Sequence, residues 1–335
     1  MRIIGVDVAK ATLEVALWQE GQVMALGQVP NTAAGWETLA RQVDRPRTGP
    51  PDDVRLVLEP TGGYELGLAR WADQRGWQVS RPNPRHVRDW ARSQGRRAKT
   101  DRQDAAVLAQ YGAQTTLRPW QPLPSAVSEL EAWLHQRDEV EDLLAREGTR
   151  LQQLTARPDV PAAVSASVQR LIEALQAERA AVEQAIATQL QQHPELAAAR
   201  SRLLSVPGVG ERLVLPLLVL LSRWQTQTGG QGTAKGVVAF AGLDPQPYQS
   251  GTSVRRHPQI SRQGDKRLRS RLYMGALGAL RGHNAVRAFY DRLVGRGKAK
   301  KLALVAAARK LLVWAWAVFH SGLPFDAAKT VQLVA

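Results

Sequence analysis

Cysteine is absent from the 335-residue chain, which excludes disulfide bonds and thiolate metal sites. Long apolar runs are missing too: the run 213–221 is shorter than the ~18 residues that a membrane-spanning helix needs. Arg309 and Lys310 interrupt the apolar stretch 302–319. Asp7 lies inside the first apolar run, which indicates a strand and not a signal peptide. We therefore expect a cytoplasmic protein with no membrane partner.

Acidic residues are few relative to basic ones. The chain has 45 Lys and Arg against 30 Asp and Glu, a formal net charge of +15. Residues 125–200 run against this trend, with 12 acidic and 7 basic residues, whereas residues 251–310 hold 16 basic and 2 acidic residues. Because strong positive charge concentrates polyanions near a protein, the sequence predicts a nucleic-acid-binding protein.

The first third of the chain alternates between strand and helix patterns. Strand candidates at 3–8, 13–18 and 23–29 follow one another at hairpin-length spacing. Further elements are predicted as helix 31–43, strand 54–58, helix 64–75, strand 77–80 and one or two helices over 86–111. This order is typical of an RNase H-like α/β fold, which we predict for a domain at 1–116.

The middle of the chain has a helical pattern. A proline-punctuated linker at 117–124 precedes apolar residues at roughly heptad spacing over 130–154 and 164–190. We predict an antiparallel helical hairpin with coiled-coil packing within a middle region at 117–200. Its negative charge would repel nucleic acid, which favours a protein–protein spacer. The alternative is an ordinary helical pair that packs on its own domain.

The remaining region, 201–335, is predicted to be mostly helical. Residues 203–213 read LLSVPGVGERL, a Pro-Gly-X-Gly turn between two helices. This pattern is similar to a helix-hairpin-helix turn, in which the backbone N–H groups at Gly208 and Gly210 can bind a phosphate. The alternative is a plain helix connector.

Four carboxylates stand out by their position. Asp7 lies within the first strand, Glu59 closes the strand 54–58, and Asp101 and Asp104 are three residues apart at a helix start. In an RNase H-like topology these strand ends lie close together. Clustered carboxylates suit Mg²⁺, and two ions ~3.5–4 Å apart can clamp a phosphate for in-line attack. Taken singly, Asp101 and Asp104 are also explained as helix-start residues favoured by the macrodipole.

Cations surround these carboxylates and also follow Ser250. Beside the acids, the candidates for DNA contact are Arg96, Arg97, Lys99 and Arg102. Ser250 precedes Gly251, which permits close approach of a phosphate. The expected phosphate clamps are Arg255, Arg256 and Arg262, and the expected contacts to a DNA or RNA backbone are Lys266, Arg267 and Arg269. The alternative is a solvated basic loop with an incidental serine.

Seven segments together resemble the DEDD transposases of insertion sequence family 110. They are GVDVAK with Asp7, LEPTGGY with Glu59, KTDRQDA with Asp101 and Asp104, SVPGVG, AGLDPQPYQSGTS with Ser250, ISRQGDKRLR and VAAARKLLVWAW. The resemblance covers nearly the whole chain, in order. It implies a RuvC-like DEDD domain at 1–116, a helical coiled coil at 117–200 and a transposase domain at 201–335.

The resemblance also implies a mechanism. Asp7, Glu59, Asp101 and Asp104 would bind two Mg²⁺ ions, with Mn²⁺ as a substitute, and Ser250 would attack the DNA phosphate. Ser253 is a second serine nearby. Donor and target DNA, a structured bridge RNA, a dimer or DNA-bound tetramer and a nucleoid-associated prokaryotic location follow from the same resemblance.

Two other functions stay open at this point. One is a metal-dependent endonuclease of the Holliday-junction-resolvase kind, in which the acids activate water and Ser250 only contacts phosphate. The other is a noncatalytic nucleic-acid-binding scaffold that keeps the fold and the basic surface.

Overall fold

The computed structural model describes residues 1–43, 54–96, 101–250 and 254–328, without the side chains of residues 101, 247–250 and 254–258. The chain divides into two compact units, Met1–Pro122 and Leu123–Ala335. The second unit therefore contains both the helical hairpin and the C-terminal region. The predicted three-part division at 1–116, 117–200 and 201–335 stays a prediction.

A five-stranded mixed sheet organises the first unit. Its strands are β1 (Arg2–Val8), β2 (Thr12–Gln19), β3 (Gln22–Pro30), β4 (Val54–Leu58) and β5 (Gln78–Ser80), in the order β3-β2-β1-β4-β5. The first three strands form an antiparallel meander, and β4 and β5 extend it in parallel from β1. This is the RNase H-like arrangement, so the fold predicted for this region is confirmed.

Four helices cover the two faces of this sheet. They are α1 (Ala33–Val43), α2 (Leu66–Gln74), α3 (Pro84–Ser93) and α4 (Asp101–Gln114). Ile4 and Val6 of β1 share a core with α1 and α2, whereas Ile3 shares a core with Leu108 of α4. Because both faces of β1 are covered, its sequence is an almost continuous apolar run instead of an alternating one.

The second unit is mostly helical. Its helices are α5 (Ser125–Thr155), α6 (Ala162–Gln192), α7 (Pro194–Leu204), α8 (Glu211–Gln227), α9 (Ala234–Phe240), α10 (Lys266–Ala279), α11 (Ala285–Gly295) and α12 (Lys300–Ser321). A two-stranded antiparallel ribbon, β6 (Pro245–Ser250) and β7 (Val254–Ile260), lies between α9 and α10. The sequence predicted a loop here because Pro245 and Pro247 break strand patterns. A two-stranded ribbon tolerates them, since each strand has an unpaired edge.

The helices α5 and α6 form the predicted antiparallel hairpin. Gln189, near the end of α6, donates to the carbonyl oxygen of Ala126, at the start of α5, over 3.3 Å. At this end of the hairpin, Leu130 of α5 and Ile186 of α6 belong to the core of the second unit. Towards the opposite end, Leu171 of α6 is 44% exposed. Coiled-coil packing and assembly through the hairpin stay predictions.

Helix α12 runs through the core of the second unit. It has 22 residues and contains an 18-residue window with a mean hydropathy of 1.7, so by length and composition it is apolar enough to cross a membrane. More than half of that window, 56%, is buried within the protein. Its Leu304, Leu311 and Trp316 lie in the same core as α8 and α10. These contacts explain the apolar composition as that of a core helix.

Candidate active site

The register of the sheet brings Asp7 beside Glu59. The parallel strands β1 and β4 pair from Arg2 with Val54 to Val6 with Leu58, so one further step places Asp7 next to Glu59. Side chains two residues apart along a strand share a face. Asp7 and Glu59 therefore lie on the face of the sheet that α4 covers, at the carboxyl ends of the two strands.

Helix α4 crosses β1 at very close range. A Cβ atom added at Gly5 would lie 2.2 Å from the carbonyl oxygen of Ala105 and 2.3 Å from the backbone nitrogen of Ala109. Further along the helix, a Cβ at Gly112 would meet Ile3 Cγ2 at 2.9 Å. The helix therefore runs antiparallel to β1, and only glycine allows this approach.

This crossing places the start of α4 at the Asp7 end of β1. One helical turn rises about 5.4 Å, close to the length of two strand residues. Since Ala105 lies over Gly5, the preceding turn, with Asp101 and Asp104, lies towards Asp7. The start of α4, with Asp101 and Asp104, therefore lies towards the end of β1 that carries Asp7. Metal binding by these residues together with Asp7 and Glu59 stays a prediction.

The described side chains do not form a complete metal site by themselves. Asp7, Glu59 and Asp104 are each half-buried. No group of three Asp, Glu, His or Cys side chains among those described is arranged to hold a metal ion. The side chain of Asp101 lies outside the described part. The donors at these positions are carboxylate oxygens, the ligand type that Mg²⁺ requires.

Glu14 is a nearby carboxylate that the sequence reasoning missed. In the antiparallel pair of β1 and β2, Glu14 lies directly opposite Asp7. It lies on the same face as Ala16, which shares a small core with Ala105 and Ala109 of α4. The alternation of polar and apolar residues in β2 was the signal that could have revealed it. Glu14 adds negative charge beside Asp7, which favours a bound cation at this edge.

Glu65 is the second acid that the sequence reasoning missed. Its side chain is 1% exposed, and it lies directly before α2. One carboxylate oxygen accepts hydrogen bonds from the backbone N–H groups of Thr61 and Gly63, at 3.1 and 3.0 Å, and the other accepts one from Arg81. Glu65 therefore supports the turn that directly follows Glu59.

The predicted DNA contacts beside the acids are only partly described. Arg96 and Arg102 are exposed, whereas Arg97 and Lys99 lie outside the described residues. Their role in binding nucleic acid stays a prediction.

In the Pro-Gly-X-Gly turn, the structure gives the two glycines different settings. Gly208 adopts a φ of +92°, and a Cβ there would lie 2.9 Å from the carbonyl oxygen of Gly275 in α10 and 2.7 Å from Leu311 Cδ1 in α12. Gly208 is therefore required for packing. Gly210 is exposed at the N-cap of α8, where helix N–H groups begin. Phosphate binding at Gly208 and Gly210 stays a prediction.

The ribbon that carries Ser250 is tightly packed at its base, the end that joins α9 and α10. Ser250 pairs with Val254 at its far end, while Pro245 pairs with Ile260 at the base. There a Cβ added at Gly242, whose φ is +71°, would lie 1.9 Å from the carbonyl oxygen of Gln263. The side chains of Ser250, Arg255 and Arg256 lie outside the described part, so their predicted roles stay predictions.

Four of the predicted contact residues, Arg262, Lys266, Arg267 and Arg269, follow the ribbon and differ in their contacts. Arg262 and Lys266 are exposed, and Arg262 adopts a left-handed φ of +58°. Arg267 is also exposed, at 42% of its side chain, but it forms ion pairs with Asp142 and, at 3.4 Å, with Asp138 of α5. Asp138 is buried and also binds Arg271 at 2.5 Å.

Arg269, the fourth of these residues, is directed inwards. It donates to the carbonyl oxygens of Gln263, Gly264 and Ala241 at 2.7, 3.0 and 3.3 Å. Its burial lowers the pKa of the guanidinium group. Arg267 and Arg269 thus have contacts within the protein itself, and their proposed backbone contacts would need those to be shared or exchanged.

Two family models match the chain in regions that contain these sites. One, described as a transposase (DEDD_Tnp_IS110), matches residues 4–157, and the other, described as Transposase IS116/IS110/IS902 family, matches residues 200–291. Solved structures of Thermus thermophilus RuvC, alone and with a Holliday junction substrate, match 36% of this chain at 17% and 15% identity. The TM-score of both is 0.27, and they cover 100% and 99% of the RuvC chains.

Three similar proteins match this chain over different shares of its length. The pilin gene-inverting proteins of Moraxella lacunata and Moraxella bovis are 31% and 32% identical, over 96% of this chain and 97% of each relative. An insertion element IS110 protein of Streptomyces coelicolor is 31% identical over 46% of this chain and 36% of its own length. The chain therefore belongs to the IS116/IS110/IS902 family of transposases.

Proposed function

We propose that this transposase cuts and rejoins DNA strands between a donor and a target site, by metal-dependent chemistry at the carboxyl ends of β1 and β4. The observation that carries the proposal is the strand register, which sets Asp7 beside Glu59 under the start of α4. The pilin gene-inverting relatives support the same class of reaction, because strand exchange between two sites in one DNA molecule inverts the segment between them.

The proposed cofactor is a pair of Mg²⁺ ions, for which Mn²⁺ can substitute, held by Asp7, Glu59, Asp101 and Asp104. When bound, the ions would stabilise the charge that develops on the phosphate during attack. The protein holds the carboxylates on rigid elements: Asp7 lies inside the sheet, and α4 is held against Gly5. Rigid placement matters because metal ligands must be positioned closely before the ion arrives.

Ser250 is the proposed nucleophile. Its Oγ would form a bond to phosphorus while the bond from phosphorus to one deoxyribose oxygen breaks. The serine proton is given up, and the departing oxygen takes up a proton. A hydroxyl of the partner strand would then attack the same phosphorus and release the serine. Unaided, serine is a weak nucleophile, so arginines near Ser250 would have to stabilise the developing charge.

A structured bridge RNA is proposed as the guide, in an assembly of two or four copies. In RNA-guided recognition, base pairing reads the sequence and the protein contacts mainly backbone and shape. We expect one structured RNA, encoded beside the gene and complementary to donor and target, to copurify when the protein is expressed with its flanking DNA. Sequencing the bound RNA is the measurement. Only random cellular RNA, or none, would point to an unguided recombinase.

DNA binding is proposed to involve the basic surface of α11 and α12. Arg292, Arg309 and Lys310 come together there, and the pKa of Lys310 is lowered by burial and by those two arginines. Among the described residues 281–328, the only ion pair between Asp or Glu and a cation joins Arg287 to Asp291, at 2.6 Å. Crowded cations without acidic partners repel one another, and bound phosphates would relieve that repulsion.

This surface predicts a steep salt dependence that a double variant should reduce. Each phosphate contact contributes about 0.9 to the slope of log K against log salt concentration. Replacing Arg292 and Lys310 with alanine should therefore lower the slope by about 2 for duplex DNA. Fluorescence anisotropy with a labelled 30-base-pair duplex (a length of about three helical turns) measures it. Arg287→Ala is the matched control, because that arginine already has a carboxylate partner. An unchanged slope in the double variant would exclude this surface.

The function as a whole is tested by strand cleavage with and without metal. We expect purified protein, loaded with its RNA, to cleave duplex DNA that carries the element's ends in Mg²⁺ and to stop when the metal is chelated. Binding without cleavage under every metal condition would favour the noncatalytic scaffold.

A further inference from the structure

Glu65 is a buried acid for which the proposed reaction has no direct use. With 1% of its side chain exposed, it is the most deeply buried carboxylate described in the first unit. Burial of an ionised carboxylate is costly unless hydrogen bonds and an opposite charge compensate it. Arg81 supplies the charge, and two backbone N–H groups supply the hydrogen bonds. The cost of burying this ion pair is expected where the pair holds a segment of the backbone in one position.

The segment held by this pair is the turn that directly follows Glu59. Glu65 accepts from the N–H groups of Thr61 and Gly63, and the hydroxyl of Thr61 donates to the carbonyl oxygen of Glu59 at 3.0 Å. Gly62 and Gly63 adopt φ values of +63° and +100°. Because glycine has no Cβ atom, these two residues have little intrinsic preference for one backbone conformation. The carboxylate of Glu65 thus selects the path of the backbone beyond Glu59.

The other end of the pair is fixed to the sheet. Arg81 directly follows β5, the strand that pairs with β4 in parallel. Its guanidinium also lies over the ring of Trp120, 5.8 Å from the ring centroid. The ion pair therefore links the turn after β4 to the carboxyl end of β5, at the same end of the sheet as Glu59.

We propose that the Glu65–Arg81 ion pair positions Glu59 for metal binding. This inference rests on the proposed function, in which Glu59 is a metal ligand and Glu65 is not. Groups that orient a ligand typically contribute 10- to 100-fold to metal affinity. Glu65 acts as a positioning residue, because it hydrogen-bonds to the turn that follows Glu59 and does not contact the metal or the DNA.

The test is the Mn²⁺ affinity of the Glu65→Gln variant. Glutamine keeps the size of the side chain but loses the charge that binds Arg81. We expect the dissociation constant for Mn²⁺, measured from the electron paramagnetic resonance signal of the free ion, to rise about 10- to 100-fold. Strand cleavage should recover at saturating metal. A purely structural role would instead lower the melting temperature and the folded fraction without changing the affinity of the folded protein.

Glu37→Gln is the matched control in the same unit. The Glu37 side chain is 53% exposed, and it accepts a hydrogen bond from Trp71 Nε1 at 3.1 Å. It lies on α1, which packs on the opposite face of the sheet from α4. We expect its Mn²⁺ affinity to match that of the unchanged protein.

Two more variants keep the outcomes distinct. Arg81→Lys retains the positive charge but loses the planar fork, so it should weaken Mn²⁺ binding in the same direction, and it replaces Glu65→Gln as the test if that variant does not fold. If Glu59→Gln weakens Mn²⁺ binding while Glu65→Gln and Arg81→Lys do not, the positioning role is wrong. If Glu59→Gln also leaves the affinity unchanged, the proposed metal site itself is wrong.

Discussion

Replacing Asp7 with asparagine is expected to lower the rate of DNA strand cleavage about 1,000-fold, because bound metal contributes several kcal/mol to the barrier reduction. Asp7 lies between Glu59, which directly follows β4, and Glu14 on β2, at the end of β1 towards which α4 begins. Asparagine fits the same space, so the fold and the DNA affinity should change little. Single-turnover cleavage of a labelled duplex measures the rate, and a gel-shift titration measures the affinity.

Asp89→Asn is the control for this experiment. Asp89 lies on α3 in the same unit, its side chain is 57% exposed, and it forms ion pairs with Arg85 and Arg92 at 3.8 and 3.6 Å. We expect its removal to leave cleavage within a few fold, since exposed ion pairs contribute about 1 kcal/mol or less. If Asp7→Asn altered only DNA affinity, the chain would be a binding scaffold and not an enzyme.

The second large effect is expected from Ser250→Ala, which should eliminate covalent attachment of the protein to DNA. Loss of the attacking hydroxyl in a covalent mechanism costs on the order of 10⁶-fold in rate. The measurement is a protein–DNA adduct that survives denaturing electrophoresis. DNA binding should persist, because the exposed Arg262 and Lys266 and the cations of α11 and α12 are unchanged.

Ser253→Ala separates the two serines of this segment. We expect it to form the adduct normally, whereas loss of the adduct in this variant alone would transfer the nucleophile to Ser253. A third outcome is instructive as well. If Ser250→Ala cleaved DNA at nearly the normal rate without any adduct, the acids would be activating water, as in a Holliday-junction-resolvase-like endonuclease.

Short-range patterns were sufficient to predict much of this fold. Local hydrophobic periodicity and turn residues indicate the strands, the helices and their order. The three N-terminal strands, the helical hairpin and the mostly helical C-terminal part were predicted on this basis, and the structure contains them. An acid inside an apolar strand, as at Asp7, is a local signal as well, because its cost demands an explanation.

Contacts between distant segments were not predictable in this way. The ion pairs of Arg267 with α5 join residues 125 or more positions apart, and nothing near Arg267 in the sequence distinguishes it from Lys266. The ribbon at 245–260 was also missed, because strand pairing depends on the partner strand and its prolines concealed the pattern.

By itself, the sequence determined the RNase H-like element order, the positive charge and the acids at strand and helix ends, since each depends on residues that are neighbours in the chain. Only the tertiary structure decided which acids share a face, which arginines are held within the protein and that Glu65 is buried against Arg81. Sheet register and helix crossing set these relations, and both arise from packing between segments far apart in sequence.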